Sequence, residues 1–339
     1  MSNTATVLAF DFGASSGRAI RAVYDGQNLT YEEIHRFENV PIEKDGHLCW
    51  DVETLLKEIH TAIQKAGTFD SLGFDTWGVD FGLLDADGHL LANPVHYRDA
   101  RTNGKPEQAA ARMPAEELYA NTGNQIMAIN TLFQLLALRE QDPELLKKAE
   151  QILFMPDLFA ALLGAEPVCE RSIASTSQML DPRTGQWSRE VLAAYGLNAN
   201  HFAPLVASGT VTGTLTTGAK IIAVAGHDTQ CASAAMPCAE EDAEHTAFLS
   251  CGTWSLLGTE LDTPILTADS CQSGLSNELG ANGKINYLKN IIGLWLIQES
   301  RREYKRRGQA YSFAELEQQA LAAEPLRSFI DPDAPEFVA

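Results

Sequence analysis

Residues 6–25, TVLAFDFGASSGRAIRAVYD, run from an apolar strand through a tip of small residues into a second, alternating segment. How that tip is read decides the fold. A dinucleotide-binding turn needs G-x-G-x-x-G opening a helix. Here the only glycines are Gly13 and Gly17, and RAIRAVYD alternates as a strand does. A Walker A loop needs a Gly-Lys-Ser/Thr ending, and this tip has no lysine. What remains is strand, tight turn, strand. Such a tip either closes an ordinary hairpin or aims backbone N–H groups and the Ser15 and Ser16 hydroxyls at an anion.

Working outward, LTYEEIHRF supplies a third strand after the Asp25-Gly26 turn. WDVETLLKEIHTAIQKAG then reads as a helix with a Val52, Leu55, Leu56, Ile59, Ile63 stripe, Asp51 as N-cap and Gly67 as its end. SLGFDTWG returns to strand, and FGLLDADGHLL predicts a hairpin through Asp87-Gly88. Between about residues 105 and 200 helical periodicity dominates, best in NTLFQLLALREQ, DPELLKKAEQ, PDLFAALLG and SREVLAAYGL. ASGTVTGTLT reads as a Gly/Thr-rich loop, and IIAVAGHDTQCASAAMP as a strand, an abrupt turn and a small-residue helix. After the acidic linker CAEEDAEH, TAFLSCGTWSLLGTE repeats the opening device: strand, a tip with one glycine and hydroxyls, strand. The linker marks the domain boundary, giving domains 1–240 and 241–339.

Composition narrows the partners. With 339 residues, 45% of them hydrophobic, the chain can bury a core in each of two domains. Lys and Arg number 25 against 45 Asp and Glu, a formal net charge of −20 that repels nucleic acid and anionic lipid. Neither is an expected partner. The basic run RREYKRR (Arg301 to Arg307) reads as the end of a helix before Gly308, where positive charge suits the dipole. The six cysteines are scattered, no His/Cys group has zinc spacing, and the thiols read as reduced and mostly buried, as in a cytoplasm. The N-terminus MSNTATVLAF lacks a basic region and a long apolar stretch, and no apolar run reaches transmembrane length.

Three meandering strands, a helix and a further strand resemble the ribonuclease-H-like unit of sugar kinases and actin. DFGASSGR, DTWGVDF, YRDARTNG, FMPDLF, AGHDT, SCGTWSL and LKNIIGLW, in this order, resemble the FGGY family of carbohydrate kinases through essentially the whole chain. The resemblance implies an α/β fold of two ribonuclease-H-like, actin/hexokinase-type domains around a cleft. It also implies that the second is incomplete at Ala339, because family members continue into a glycine-rich adenosine motif and closing helices. The implied activity is ATP-dependent phosphorylation of L-rhamnulose to L-rhamnulose 1-phosphate, in rhamnose breakdown. The alternatives are a sugar-binding remnant without activity and a kinase of another ketose such as L-fuculose or L-xylulose. By the same resemblance, Ala14, Ser15, Ser16, Gly17 and Arg18, with Thr253 and Gln298, contact ATP. Gly78, His227, Asp228, Thr229 and Asn290 contact the sugar, Asp228 is the general base, and Asp11 faces Mg2+ through water.

Each of these residues has a plain structural alternative. Asp228 stands where a strand hands over to a helix, the usual place for a ligand in an α/β sheet but also the place for an N-cap. His227 fits either a sugar hydroxyl or a satisfied core. Arg18 is either a phosphate fork or a solvated strand side chain. Trp77 suits sugar C–H faces and also a core, Asp80 is a candidate of the same kind, and Asn290 fits either sugar hydroxyls or a turn.

Overall fold

The computed structural model describes residues 4–239, 242, 245–332, 334 and 337. Its first sheet grows around the opening strand, Ala5–Phe12. This strand pairs antiparallel with Ser16–Tyr24, which pairs antiparallel with Leu29–Glu38. On its other side it runs parallel to Ser71–Thr76, followed by Lys220–Ala223 in parallel and Thr210–Thr214 in antiparallel. Three antiparallel strands continued by parallel ones are the ribonuclease-H-like order expected from the meander.

Alternation explains why the opening strand sits at the centre. Leu8, Phe10 and Phe12 point to one face and are fully buried. Phe10 stacks on Phe74 at 4.8 Å, and Phe12 meets Phe37 and Phe159 edge-on at 5.2 and 5.1 Å. Burying one such side chain contributes about 1.5–3 kcal/mol. Helix Val52–Ala66 packs on this face through Val52, Leu55, Ile59, Ala62 and Ala66, with Leu56 and Ile63 partly buried beside them. The Asp51 side chain accepts from the Thr54 N–H at 3.2 Å, and Gly67 ends the helix at φ +66°.

Three local expectations are corrected. ASGTVTGTLT holds a strand, Thr210–Thr214, because its β-branched residues complete the sheet edge. Its register shifts between Val211 and Gly213, where the chain passes so close to Ala165 that a Cβ would lie 2.8 Å from the Ala165 Cα. Asp85 to Gly88 turn as expected, with a Leu84–Leu90 bridge and Asp85–His89 and Leu91–Leu83 hydrogen bonds across the turn, but the strand partner of Phe81–Leu84 is Gln151–Phe154. All six thiols are free as expected, yet only Cys49 and Cys169 are buried and Cys251 is exposed. The helices predicted at Thr131–Gln141, Met155–Leu162 and Arg189–Tyr195 are present. DPELLKKAEQ is helical only over Pro143–Lys148, and its last residues lead into the Gln151–Phe154 strand.

The second sheet orders its four strands Phe248–Cys251, Trp254–Leu261, Ile285–Ile292 and Ser276–Leu279, all antiparallel. The hairpin echo is therefore real, with one difference. The first strand of the opening hairpin is flanked on both sides, whereas Phe248–Cys251 is an edge strand among the described residues. The core here is small: Phe248, Leu256 and Leu288, with Met236 and Trp254 against them. Helices Trp295–Arg306 and Phe313–Ala322 bury none of their residues. Ile297, Phe313, Leu321, Phe329 and Ile330 are exposed around them. The basic run does end the first of these helices, where Arg302, Arg306 and Arg307 pair with Glu299 and Glu303. Residues 240, 241, 243 and 244 of the acidic linker, and with them the boundary at 240/241, lie outside the described residues.

A polar seam joins the two halves. The Gln125 N–H donates to Ser276 Oγ at 2.8 Å, the Asn277 N–H to the Gly123 carbonyl at 2.8 Å, and the Leu279 N–H to Ser175 Oγ at 2.9 Å. Above it, the Arg98 guanidinium of YRDAR lies 4.1 Å from the Trp295 ring centroid and 5.8 Å from that of Trp254. Cation–π contacts of this kind stabilise by about 0.5–2 kcal/mol.

Candidate active site

Between the halves lies a cleft of about 270 Å³. Its walls bring together Ala14 and Ser15 from the first hairpin tip, Gly78, His227, Asp228 and Thr229 from the strand ends, Thr253 from the second tip and Asn290 from the facing strand. With Trp77, nine of the residues singled out in the sequence thus share one cavity. Ser16, Gly17, Arg18, Gln298 and Asp11 do not line it.

The first tip is clamped from behind. Buried Asn39 donates its side-chain amide to the Gly13 carbonyl at 2.9 Å and its N–H to the Ser15 carbonyl at 3.1 Å. With these carbonyls tied back, the Ala14 and Ser15 N–H groups enter no hydrogen bond among the described residues, and the Ser15 side chain is exposed. They form a preorganised donor pair. Ser16 and Gly17 belong to the outgoing strand, where a Cβ on Gly17 would sit 2.2 Å from the Phe37 ring; close packing alone requires that glycine. Arg18 lies opposite Asp11 across the hairpin, and its Nε donates to Asp11 Oδ2 at 2.7 Å.

The second tip is held by its own partner. Gly293 and Trp295 donate their N–H groups to the Thr253 carbonyl at 3.2 Å, and Leu294 donates to the Gly252 carbonyl at 3.0 Å. Gly293 approaches so closely that a Cβ would meet Ser255 Oγ at 2.5 Å. Gln298 stands in the helix that starts at Trp295, and its N–H donates to the carbonyl of Leu294, the residue that holds Gly252, at 2.9 Å.

The base candidate sits at the mouth of the turn after Lys220–Ala223. Asp228 opens helix Asp228–Ala234 but does not cap it as a conventional N-cap would; its Oδ1 accepts from the N–H of the next residue, Thr229, at 2.6 Å. The side chain is 44% exposed, toward the cleft. Burial of the surrounding turn raises its carboxyl above the ordinary 3.8. The nearby imidazole of His227 and the Thr229 hydrogen bond oppose the shift, and the charge of Asp11 adds to it. His227 stands partly buried between two carboxylates, with Nδ1 3.2 Å from Glu278 Oε2 and Nε2 3.3 Å from Asp228 Oδ1. Burial disfavours the imidazolium, but the Glu278 hydrogen bond and the charges of Glu278 and Asp228 outweigh it, so His227 titrates above 6.5.

The wall that holds Trp77 and Tyr97 is built around Asp80. Fully buried, this carboxylate accepts from Trp50 Nε1 at 2.7 Å, Trp77 Nε1 at 3.0 Å, the Tyr97 N–H at 3.1 Å and Gln134 Nε2 at 2.8 Å. Burial pushes it up to about 6 against those donors. Asp80 therefore orients Trp77 and Tyr97, which line the cleft, and is itself no ligand group. Next to Gly78, Val79 adopts φ +66°, a rare conformation for a β-branched residue, held by Thr176 Oγ1 on its N–H and Thr131 Oγ1 on its carbonyl. Asn290 gives its side-chain amide to Gln125 Oε1 at 3.2 Å.

The sequence reading passed over four of these groups. Asp75 stands beside Asp11 in the parallel register and is pushed well above 3.8 by burial and by the charges of Asp11 and Asp228, against Arg18. The signal was present: AFDF and GFDT each place an Asp one residue before a strand end. Glu278, Gln125 and Val79 carried no such signal, since their roles depend on contacts across the seam or on a backbone conformation.

This fold and this cleft define a two-domain carbohydrate-kinase architecture, and family models agree. The FGGY carbohydrate kinase N-terminal domain matches residues 6–234, and the C-terminal domain of the same family matches residues 247–339. The chain belongs to the FGGY family of carbohydrate kinases. Among curated proteins, the rhamnulokinase of Bacteroides thetaiotaomicron is 41% identical, over 96% of this chain and 68% of that protein. The rhamnulokinase of Bacillus subtilis is 37% identical, over 97% of this chain and 69% of its own length. The chain thus spans about two thirds of the relatives it matches. Among solved structures, a xylulose kinase from Lactobacillus acidophilus superposes with a TM-score of 0.75 at 16% identity, covering 94% of this chain and 66% of that one. At that identity the match speaks for the fold alone. No helix among the described residues is long and apolar enough to cross a membrane.

Proposed function

We propose that this chain phosphorylates L-rhamnulose with ATP, giving L-rhamnulose 1-phosphate and ADP, with Asp228 as the general base. The observation that carries the reading is the placement of a half-open carboxylate in a cleft walled by two hairpin tips. The identity to rhamnulokinases over nearly the whole chain supports the choice of ketose. In this reading the Ala14 and Ser15 amides, the Ser15 hydroxyl and the Thr253 hydroxyl hold the phosphates, and Gln298 lies on the nucleotide side. Gly78, His227, Thr229 and Asn290 hold the sugar. Domain 1–240 carries the sugar and one phosphate wall, and domain 241–339 the other.

Phosphoryl transfer needs alignment and charge neutralisation more than covalent help. Asp228 takes the proton of the attacking hydroxyl as the new O–P bond forms and the bond to the bridging oxygen of ADP breaks. The fixed amides of the first tip need no reorganisation during that step. The residues present fit a divalent cation: Asp11 and Asp75 stand side by side, and their mutual repulsion is one cause of the raised carboxyl of Asp75. Asp11 and Asp75 would hold Mg2+, which supplies charge neutralisation for the phosphates.

Side-by-side kinetics on L-rhamnulose, L-fuculose and L-xylulose test the reading. It predicts the highest kcat/KM for L-rhamnulose. A preference for either other ketose overturns the substrate, and titratable ketose binding without ADP release overturns the kinase in favour of a binding protein.

A further inference from the structure

Glu278 stands on the second sheet, yet its carboxylate reaches across the seam into the catalytic turn of the first. It is 4% exposed. Its Oε2 lies 3.2 Å from His227 Nδ1 and accepts from Gln230 Nε2 at 2.8 Å. Gln230 is tied in turn to Asn286, whose amide also donates to Ser233 Oγ at 2.8 Å. The whole set is buried, and it spans helix Asp228–Ala234 and strands Ser276–Leu279 and Ile285–Ile292. A buried carboxylate is costly unless it is paired and hydrogen-bonded, and His227 is the cationic partner within reach.

We propose that Glu278 is a positioning residue of the catalytic turn, orienting the His227 imidazole from the second domain so that its far nitrogen faces Asp228. The proposal rests on the assignment of Asp228 as base. Its chemical consequence concerns the charge of that base. Asp228 is faced by Asp11 and Asp75 from the strand ends and by the Cys231 thiol one helical turn on; all three resist or ignore its ionisation, while Arg18 is engaged by Asp11. The groups that favour the ionised, proton-accepting form are His227 and the N–H and hydroxyl of Thr229. With Nδ1–H donated to Glu278, the Nε2 side of a protonated ring is turned to Asp228 Oδ1 at 3.3 Å. Glu278 comes from the other half of the molecule, so the base is fully set only when the two halves are together.

Glu278→Gln keeps the size and one acceptor oxygen but removes the charge. The expected result is a fall in kcat of about ten- to a hundredfold, the loss typical of a misaligned reacting group, with a smaller rise in ketose KM because His227 also holds the sugar. The acid limb of the kcat profile shifts to higher pH, because Asp228 loses its neighbouring cation. Glu278→Asp, which restores the charge, returns the limb toward its wild-type position. Nitrogen-15 NMR of the imidazoles, with His227→Asn to assign the signal, reads the same event without turnover: His227 titrates above 6.5 in the wild type and lower in Glu278→Gln. An acid limb and a His227 midpoint unmoved by Glu278→Gln reduce Glu278 to a seam contact and overturn the proposal. If that variant does not fold, a wild-type His227 midpoint at or below 6.5 overturns it equally. If the chain shows no turnover, a raised midpoint that drops on substitution upholds the Glu278 assignment and places the failure in the kinase reading.

Discussion

Replacing Asp228 by Asn removes the proton acceptor and little else. The amide oxygen of Asn can still take the Thr229 N–H that Asp228 Oδ1 holds at 2.6 Å, so the turn keeps its shape. His227 keeps Glu278 as a partner and loses only the second of its two carboxylates. Loss of a general base costs about a hundred- to ten-thousandfold in rate. As activation free energy this is about 3–5 kcal/mol, since each tenfold is about 1.4 kcal/mol. Ketose affinity depends on the whole wall, and exchanging one charged acceptor for a neutral one costs about 1 kcal/mol, or about fivefold in Kd. The assay is ADP release at saturating ketose and ATP beside the wild-type chain, with isothermal titration for the ketose. The predicted pattern is collapsed kcat with ketose binding kept within about fivefold. A variant that retains wild-type kcat returns Asp228 to a structural role at the helix start and refutes the reasoning.

Three further outcomes follow from the same geometry. Ser15→Ala and Thr253→Ala each remove one hydroxyl from a hairpin tip and should raise the KM for ATP by about five- to a hundredfold, equivalent to about 1–3 kcal/mol, while ketose titration stays as in the wild type; loss of ketose binding alone would contradict the phosphate assignment. Asp80→Ala orphans the indole N–H groups of Trp50 and Trp77, the Tyr97 N–H and the Gln134 amide, so chemical denaturation should show the first domain destabilised by at least about 3 kcal/mol. Helices Trp295–Arg306 and Phe313–Ala322 bury none of their residues, so their amides should exchange with solvent far faster than those of Ala5–Phe12 and Ser71–Thr76; equal protection across both regions would refute the reading of the second half as weakly packed.

What the sequence revealed tracks how local each signal is. The opening hairpin was legible because alternation of Leu8, Phe10 and Phe12 and the small-residue tip are properties of neighbours in the chain. The helix at Val52–Ala66 was legible down to its Asp51 cap for the same reason. Thr210–Thr214 was misread as a loop because its Gly and Thr content signals turns, while its strand state comes from pairing with Lys220–Ala223 and an edge position in the sheet. At the site, the residues on the tips and at the strand–helix turn could be named, since motif and position coincide there. Glu278 could not, because an Asn-Glu-Leu segment in a strand says nothing until the fold carries it to His227, more than fifty residues away in the chain. Nor could Val79, whose value to the cleft wall lies in a backbone angle imposed by Thr131 and Thr176.

The central claim is that the two hairpin tips and Asp228 together pass a phosphoryl group to a ketose. Phosphorus-31 NMR of a mixture of this chain, L-rhamnulose, ATP and Mg2+ tests it most directly. The account predicts loss of the ATP γ signal, growth of the ADP signals and one new phosphomonoester resonance from L-rhamnulose 1-phosphate, all slowed at least about a hundredfold with Asp228→Asn. ATP signals unchanged over time with ketose present, or conversion to inorganic phosphate without a sugar monoester, would contradict it.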